Sequence, residues 1–162
     1  MHIREIMSQP AVTCPVDTTA DVPAHLMWER DCGVIPLVDH DGRLAGIVTD
    51  RDLCMAALTQ DKPLREIQVS SAMARGVASC SPEDTVESAE AVMRANQVRR
   101  VPVVDEEGLP VGVLSMNDLA RLAARGRKNG VDREFVQTLA VVSEPRAKGV
   151  QSRPEAALRA SA

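Results

Sequence analysis

The feature that most constrains this chain is an internal repeat: the segment Met7 to Leu53 recurs without a gap, 66 residues later, as Met73 to Leu119. Eleven of the 47 aligned positions are identical. They are Met7/Met73, Cys14/Cys80, Thr19/Thr85, Met27/Met93, Pro36/Pro102, Val38/Val104, Asp39/Asp105, Gly42/Gly108, Gly46/Gly112, Asp52/Asp118 and Leu53/Leu119. Others are conservative, such as Ile47 with Val113 and Thr49 with Ser115. A unit this long is too large for a solenoid repeat. It predicts two copies of one small supersecondary fold that bury a shared face.

Each copy carries the same order of local signals. A short extended segment (Ala11 to Thr13, Val77 to Ser79) leads into a helix over Ala20 to Arg30 or Val86 to Asn96. Thr18 with Asp21, and Asp84 with Glu87, have the spacing of an N-cap and a first-turn acid. Val86, Ala89, Val92 and Met93 form an apolar stripe at helical spacing. Pro23 inside the first helix is expected to distort its turn. A strand follows (Val34 to Val38, Val101 to Val104). Next come a Gly-containing turn at Gly42 or Gly108 and a second strand (Leu44 to Thr49, Pro110 to Ser115), the pattern of an antiparallel hairpin. A last helix starts at Asp50 and at Met116. The order β-α-β-β-α predicts an α+β fold with helices on one face of a small sheet. The expected boundaries are residues 1–60 and 73–125 for the repeats, 61–72 for a surface linker, and 126–162 for a C-terminal extension. Within the extension, Gly126 to Gly130 reads as a hinge. Asp132 to Val142 reads as a short amphipathic helix with Val131, Phe135, Leu139 and Val142 on one side, and disorder is expected from Ser143 onward.

Composition narrows the function. One Trp, one Phe and no Tyr mean an aliphatic core and no aromatic platform for stacking bases. The net charge is −4, divided as −7 on residues 1–125 and +3 on residues 126–162. That leaves no basic footprint for nucleic acid beyond a weakly basic tail. The amino-terminal stretch has no apolar core of a signal peptide. No run reaches the ~18 apolar residues of a membrane span, so a soluble, cytoplasmic protein is expected. Cys14, Cys32, Cys54 and Cys80 form no CxxC pair and have no histidine at zinc-ligand spacing. They read as reduced, mostly buried thiols, with a redox pair of Cys14 and Cys80 as the alternative. His2, His25 and His40 are scattered and read as solvated or structural.

Two stretches carry a family resemblance: Val34-Ile-Pro-Leu-Val-Asp39 with Gly46-Ile-Val-Thr-Asp-Arg-Asp-Leu53, and Val101-Pro-Val-Val-Asp105 with Gly112-Val-Leu-Ser-Met-Asn-Asp-Leu119. Each half resembles a CBS domain, named after cystathionine β-synthase, and the pair over residues 1–125 resembles a Bateman module. The resemblance implies two repeats packed through their sheets about a pseudo-twofold axis. It implies clefts that bind AMP, ADP, ATP or S-adenosylmethionine as a regulatory ligand, with no required cofactor, and a homodimer.

The residues themselves fit such chemistry. Thr49 and Ser115 stand at the N-cap of the last helix of each copy, where a hydroxyl serves the free N–H groups or a phosphate oxygen. Asp52 and Asp118, three residues on, fit a ribose diol. Ile47 and Val113 fit a purine face. The structural alternative is a capping box at each helix, T-x-x-D and S-x-x-D, and the two roles can coexist. By the resemblance, Thr49 and Asp52 face Ala74 and Val98-Arg99 of the second copy, while Ser115 and Asp118 face Ser8 and Cys32-Gly33 of the first. Arg51, Arg99 and Arg100 are the candidate phosphate partners. They make the Thr49/Asp52 cleft the expected phosphate site, with a less charged ligand or none at Ser115/Asp118.

No catalytic or metal site is expected. G-x-S-x-G, the P-loop, H-E-x-x-H and G-x-G-x-x-G are all absent. The functional expectation is a ligand-sensing regulatory module that signals to a partner protein in trans. The alternative is a ligand-independent dimeric scaffold.

Overall fold

The computed structural model describes residues 1–124 and 131–145. The hinge expected at 126–130, and the tail beyond Pro145, lie outside the described residues.

Repeat one comprises β1 (Cys14–Pro15), α1 (Asp21–Glu29), β2 (Val34–Val38), β3 (Leu44–Thr49) and α2 (Asp50–Gln60). Repeat two comprises α3 (Val86–Asn96), β4 (Arg100–Val104), β5 (Pro110–Ser115) and α4 (Met116–Ala124), and α5 (Val131–Ser143) follows. β1 pairs in parallel with β2, and β2 with β3 in an antiparallel hairpin. The β4–β5 hairpin repeats that register, Arg100 opposite Ser115 as Val34 is opposite Thr49. Cys80 makes a single parallel bridge to Val103 where β1 would stand. β2 and β4 are buried along most of their length, which explains their unbroken apolar runs. The fold is the expected α+β pair of repeats.

The repeats are stitched together by exchanged segments. Ser8 pairs with Val113 of β5, and Ala74 pairs with Ile47 of β3. Gly46 and Gly112 permit this. A Cβ on Gly46 would lie 2.8 Å from the Ala74 carbonyl oxygen, and one on Gly112 would lie 2.9 Å from that of Ser8. Each repeat has its own aliphatic core, and the exchange reaches into both. Ile3 and Met7 are buried in the core of repeat two, and Ile67 and Val69 in that of repeat one. The linker is therefore only partly a surface crossover: its apolar residues complete the preceding repeat.

Three local expectations change. α1 starts at Asp21 behind Ala20, which offers no side-chain cap. Pro23 then falls in the first turn, where the backbone N–H has no intrahelical partner to lose, so it is accommodated. The N-cap of α3 is Thr85, whose hydroxyl accepts the Ser88 N–H at 3.2 Å. Asp84 instead accepts the Ser81 N–H at 2.8 Å. In α5, Phe135 and Val142 face the core of repeat two, but Leu139 is exposed and Thr138 is fully buried. Among the described residues no helix is long and apolar enough to cross a membrane.

Candidate ligand site between the repeats

The two helix starts expected to hold a ligand are built alike. β3 delivers Thr49 to the N-cap of α2, where its hydroxyl accepts the Asp52 N–H at 3.2 Å. The Asp52 carboxylate accepts the Thr49 N–H and hydroxyl at 2.9 and 2.6 Å, both on Oδ2. β5 does the same for Ser115. Its N–H and hydroxyl donate to Asp118 Oδ2 at 2.8 and 2.5 Å. Both motifs are thus capping boxes, which rigidly place one hydroxyl and one carboxylate at each helix N-terminus.

They differ in what else reaches the carboxylate. Asp118 is 2% exposed. Its Oδ1 accepts the Ser8 hydroxyl at 3.4 Å and a guanidinium N–H of Arg121. Asp52 is half-buried, and its bonds run through one oxygen. A carboxylate tied at both oxygens to a cation and two hydroxyls is more firmly held, and its charge more fully compensated, than one held at a single oxygen.

The cavity lies on the Ser115 side. It has a volume of about 310 Å³. Ser8, Pro10, Ala11 and Val12 line it from the lead-in to repeat one, as do Arg30 to Val34 beyond α1. Repeat two contributes Arg100, Val113, Ser115, Asn117 and Arg121. Asp31 ends α1 in the left-handed region (φ +49°), as Gln97 ends α3 (φ +48°). This turn carries Cys32 and Gly33 to the cavity rim. A Cβ on Gly33 would lie 2.9 Å from Asp50 Oδ2 and 3.1 Å from Arg100 Nη2, so a larger residue there would push these two side-chain ends aside.

The ten expected site residues are therefore dispersed. Val113, Ser115 and Arg100 line the cavity, with Asp118 bonded to Ser115 behind it. Arg100 was expected beside Thr49. It lies instead against Gly33, because β4 begins at Arg100 opposite Ser115. Ile47 is buried at the bridge to Ala74, and Thr49 and Asp52 form the other helix start. Arg51 is exposed in the first turn of α2. Arg99 is exposed, with its carbonyl accepting the Met116 N–H at 3.0 Å. Val98 packs against the core of repeat two rather than on a cleft wall. Arg30 and Arg121 were missed. Neither belongs to a repeated motif, and only the tertiary fold brings the end of α1 and the helix α4 to one cavity.

Two thiols proposed as mostly buried are not: Cys54 is exposed and Cys32 half-buried. Burial pushes the Cys14 and Cys80 thiols up to about 11, with Asp17 and Asp84 adding to the effect. Both are weak nucleophiles at neutral pH, which argues against a redox pair.

The family model for the CBS domain matches residues 3–59 and 65–125, one match for each repeat. The chain belongs to the CBS domain family. The CBS domain-containing protein YhcV of Bacillus subtilis is 32% identical over 118 residues, which cover 73% of this chain and 82% of YhcV. MJ1404 of Methanocaldococcus jannaschii is 34% identical over 100 residues, but this CBS pair spans only 24% of its length. Among solved structures, the CBS domain pair of MJ0100, in complex with 5′-methylthioadenosine and S-adenosyl-L-methionine, matches with a TM-score of 0.68. Its sequence is 26% identical, over 77% of this chain and 97% of that one. The fold also matches the CBS domain protein PAE2072 from Pyrobaculum aerophilum, complexed with AMP. The TM-score there is 0.69 at 24% identity, covering 85% and 99% of the two chains.

Proposed function

We propose that this CBS pair is a regulatory sensor that binds an adenosine-containing nucleotide at the Ser115 cavity and signals its presence to a partner protein in trans. The observation that carries the reading is the cavity itself, where Arg30, Arg100 and Arg121 converge with the Ser115 hydroxyl at a helix N-terminus. Its volume of about 310 Å³ falls at the lower end of the roughly 300–1,000 Å³ of small-molecule sites. The helix dipole and the three guanidinium groups outweigh Asp31 and the Asp118 partner of Arg121, which favours an anion. Val113 supplies an apolar wall for a purine, and the Ser8 and Ser115 residues line the same cavity with hydroxyls for a ribose. The structure of MJ0100 with two adenosyl compounds supports the ligand class.

The charge balance reverses the order of the two clefts expected from sequence. It also ranks ligands: a phosphate-bearing nucleotide is favoured over S-adenosylmethionine, whose sulfonium adds a positive charge near three arginines. Isothermal calorimetry with AMP, ATP and S-adenosylmethionine tests this. AMP or ATP is expected to bind at least tenfold more tightly than S-adenosylmethionine. Arg100→Ala is expected to weaken AMP at least tenfold while Arg51→Ala leaves it unchanged. Loss of AMP binding in Arg51→Ala or Asp52→Ala, with Arg100→Ala unaffected, would move the site to the Thr49 cleft.

A further inference from the structure

We propose that α5 is a proton-latched cover on repeat two: it stays seated while the buried carboxyl of Glu90 is protonated, and it releases its seat, without unfolding the repeat, when that carboxyl ionises.

The seat is polar where a helix seat is usually apolar. α5 packs against α3 and α4. Phe135 and Val142 join the core of repeat two, while Val136 and Leu139 are exposed. Between Phe135 and Val142, at the centre of the buried stripe, stands Thr138, which is fully buried. A helix turned by one residue, about 100°, would bring Leu139 inward and bury more apolar surface. Thr138 faces in because a polar cluster on α3 meets it. Arg94 donates to the Thr138 hydroxyl at 2.7 Å and to Glu134 at 3.4 Å. Glu90, one turn before Arg94, is 1% exposed, and its Oε1 has no hydrogen-bond partner among the described residues. At the offset of 66, Glu90 and Arg94 correspond to Ala24 and Trp28 of α1. The first repeat folds without such a pair, so the pair serves the junction with α5 rather than the repeat itself.

The charges at this junction do not balance once Glu90 ionises. Glu134 of α5 and Glu87 of α3 oppose its ionisation, while Arg94 and the Thr138 hydroxyl favour it. One guanidinium, already paired with Glu134, cannot neutralise two carboxylates. With Glu90 protonated, the set of Glu90, Arg94 and Glu134 is neutral. With Glu90 ionised, it holds one net negative charge on a carboxyl shut off from water. Burial first, and Glu134 next, push Glu90 up to about 7. Opening α5 hydrates the carboxylate and returns it toward its ordinary value of 4.5. The closed form therefore binds the proton more tightly than the open one. Closure is favoured at low pH, weakens as pH climbs between those two values, and stays weak above the higher one. Two apolar side chains give α5 little other adhesion, so this cluster decides whether it is seated. Opening bares the seat of Phe135 and Val142 on α3 and α4, and the latch thereby controls one face of repeat two.

The test is amide hydrogen exchange of the full chain at pH 5 and pH 8, corrected for the intrinsic pH dependence of exchange. Protection of the α5 amides is expected to fall at least tenfold between the two, since each pKa unit is a factor of about ten. At pH 8, α5 is expected to exchange at least tenfold faster than α3, as a unit that opens on its own. Glu90→Gln, which keeps the shape and removes the charge, is expected to hold α5 equally protected at both pH values. Glu134→Gln, which frees Arg94 for Glu90, is expected to show a smaller fall than the parent. Protection of α5 that does not change with pH in the parent, or that falls as far in Glu90→Gln, would overturn the latch. So would equal protection of α3 and α5 at both pH values, because α5 would then open only when repeat two unfolds. Glu134→Gln judges the proposal whether or not Glu90→Gln folds: a fall as large as the parent's overturns it.

Discussion

The helical faces of the two repeats descend from one pattern yet differ in what covers them. α3 and α4 lie under α5 with a charged network between them, whereas α1 and α2 present an apolar groove to solvent. The difference begins at two substituted positions. Ala24 and Trp28 make an apolar groove, and Glu90 and Arg94 make a polar seat for a specific helix. The seat is not fully satisfied. Glu90 is 1% exposed, and its Oε1 has no hydrogen-bond partner. Duplicated folds thus keep their cores and diverge at the faces, where a single residue decides whether a surface is closed within the chain or left for another molecule.

The largest expected effect lies at that seat. Burial, then Glu134, push Glu90 up to about 7 from 4.5, with Glu87 acting in the same direction and Arg94 and Thr138 against it. A carboxyl raised in the folded state binds more protons there than in the unfolded chain. Stability therefore falls as pH climbs between the two values and stays reduced above the folded one. The full decline is about 3–4 kcal/mol at ~1.4 kcal/mol per pKa unit. Urea unfolding of Glu90→Gln at pH 5 and pH 8 should show most of that decline removed. A variant with the same pH dependence as the parent would break the contrast between the two faces.

A smaller effect separates the two helix starts. Asp52→Ala is expected to cost about 1 kcal/mol, the worth of a capping interaction. Asp118→Ala is expected to cost about 2 kcal/mol, because Asp118 is buried and its loss also opens a cavity behind Ser115. Equal losses in chemical denaturation would mean that the deeper burial of Asp118 is energetically idle. Smallest in energy but sharpest in readout is thiol accessibility. With a thiol reagent at pH 7, Cys54 is expected to react first and Cys32 next, while Cys14 and Cys80 react only on unfolding. Early labelling of Cys80 would show that the closed repeat opens more readily than its burial implies.

What could be read from the chain in advance followed from local periodicity and from its being written twice. The bounds of β2, β3, α3 and β5, and the starts of α2 and α4, coincide with those expected, because apolar spacing, turn glycines and T-x-x-D capping are local properties. The capping roles of Thr49 and Ser115 belong to the same class. Errors arose where two residues compete for one role, as with Asp84 and Thr85 at the start of α3, since backbone geometry alone decides which oxygen meets the free N–H. In α5, the stripe through Leu139 is as regular as the one through Thr138. Which stripe is buried depends on Arg94 of another helix, 44 residues away.

The sequence by itself determined that this is a duplicated α+β module of aliphatic core with two equivalent capped helix starts. Those features rest on contacts between near neighbours. Only the tertiary structure decided that Arg30, Arg100 and Arg121 meet at one cavity, that Ile67 and Val69 close the core of the repeat before them, and that α5 covers one helical face and leaves the other open. Each of these depends on where a residue's chain-distant neighbours stand, and charge and burial act through that distance in space rather than through separation along the chain.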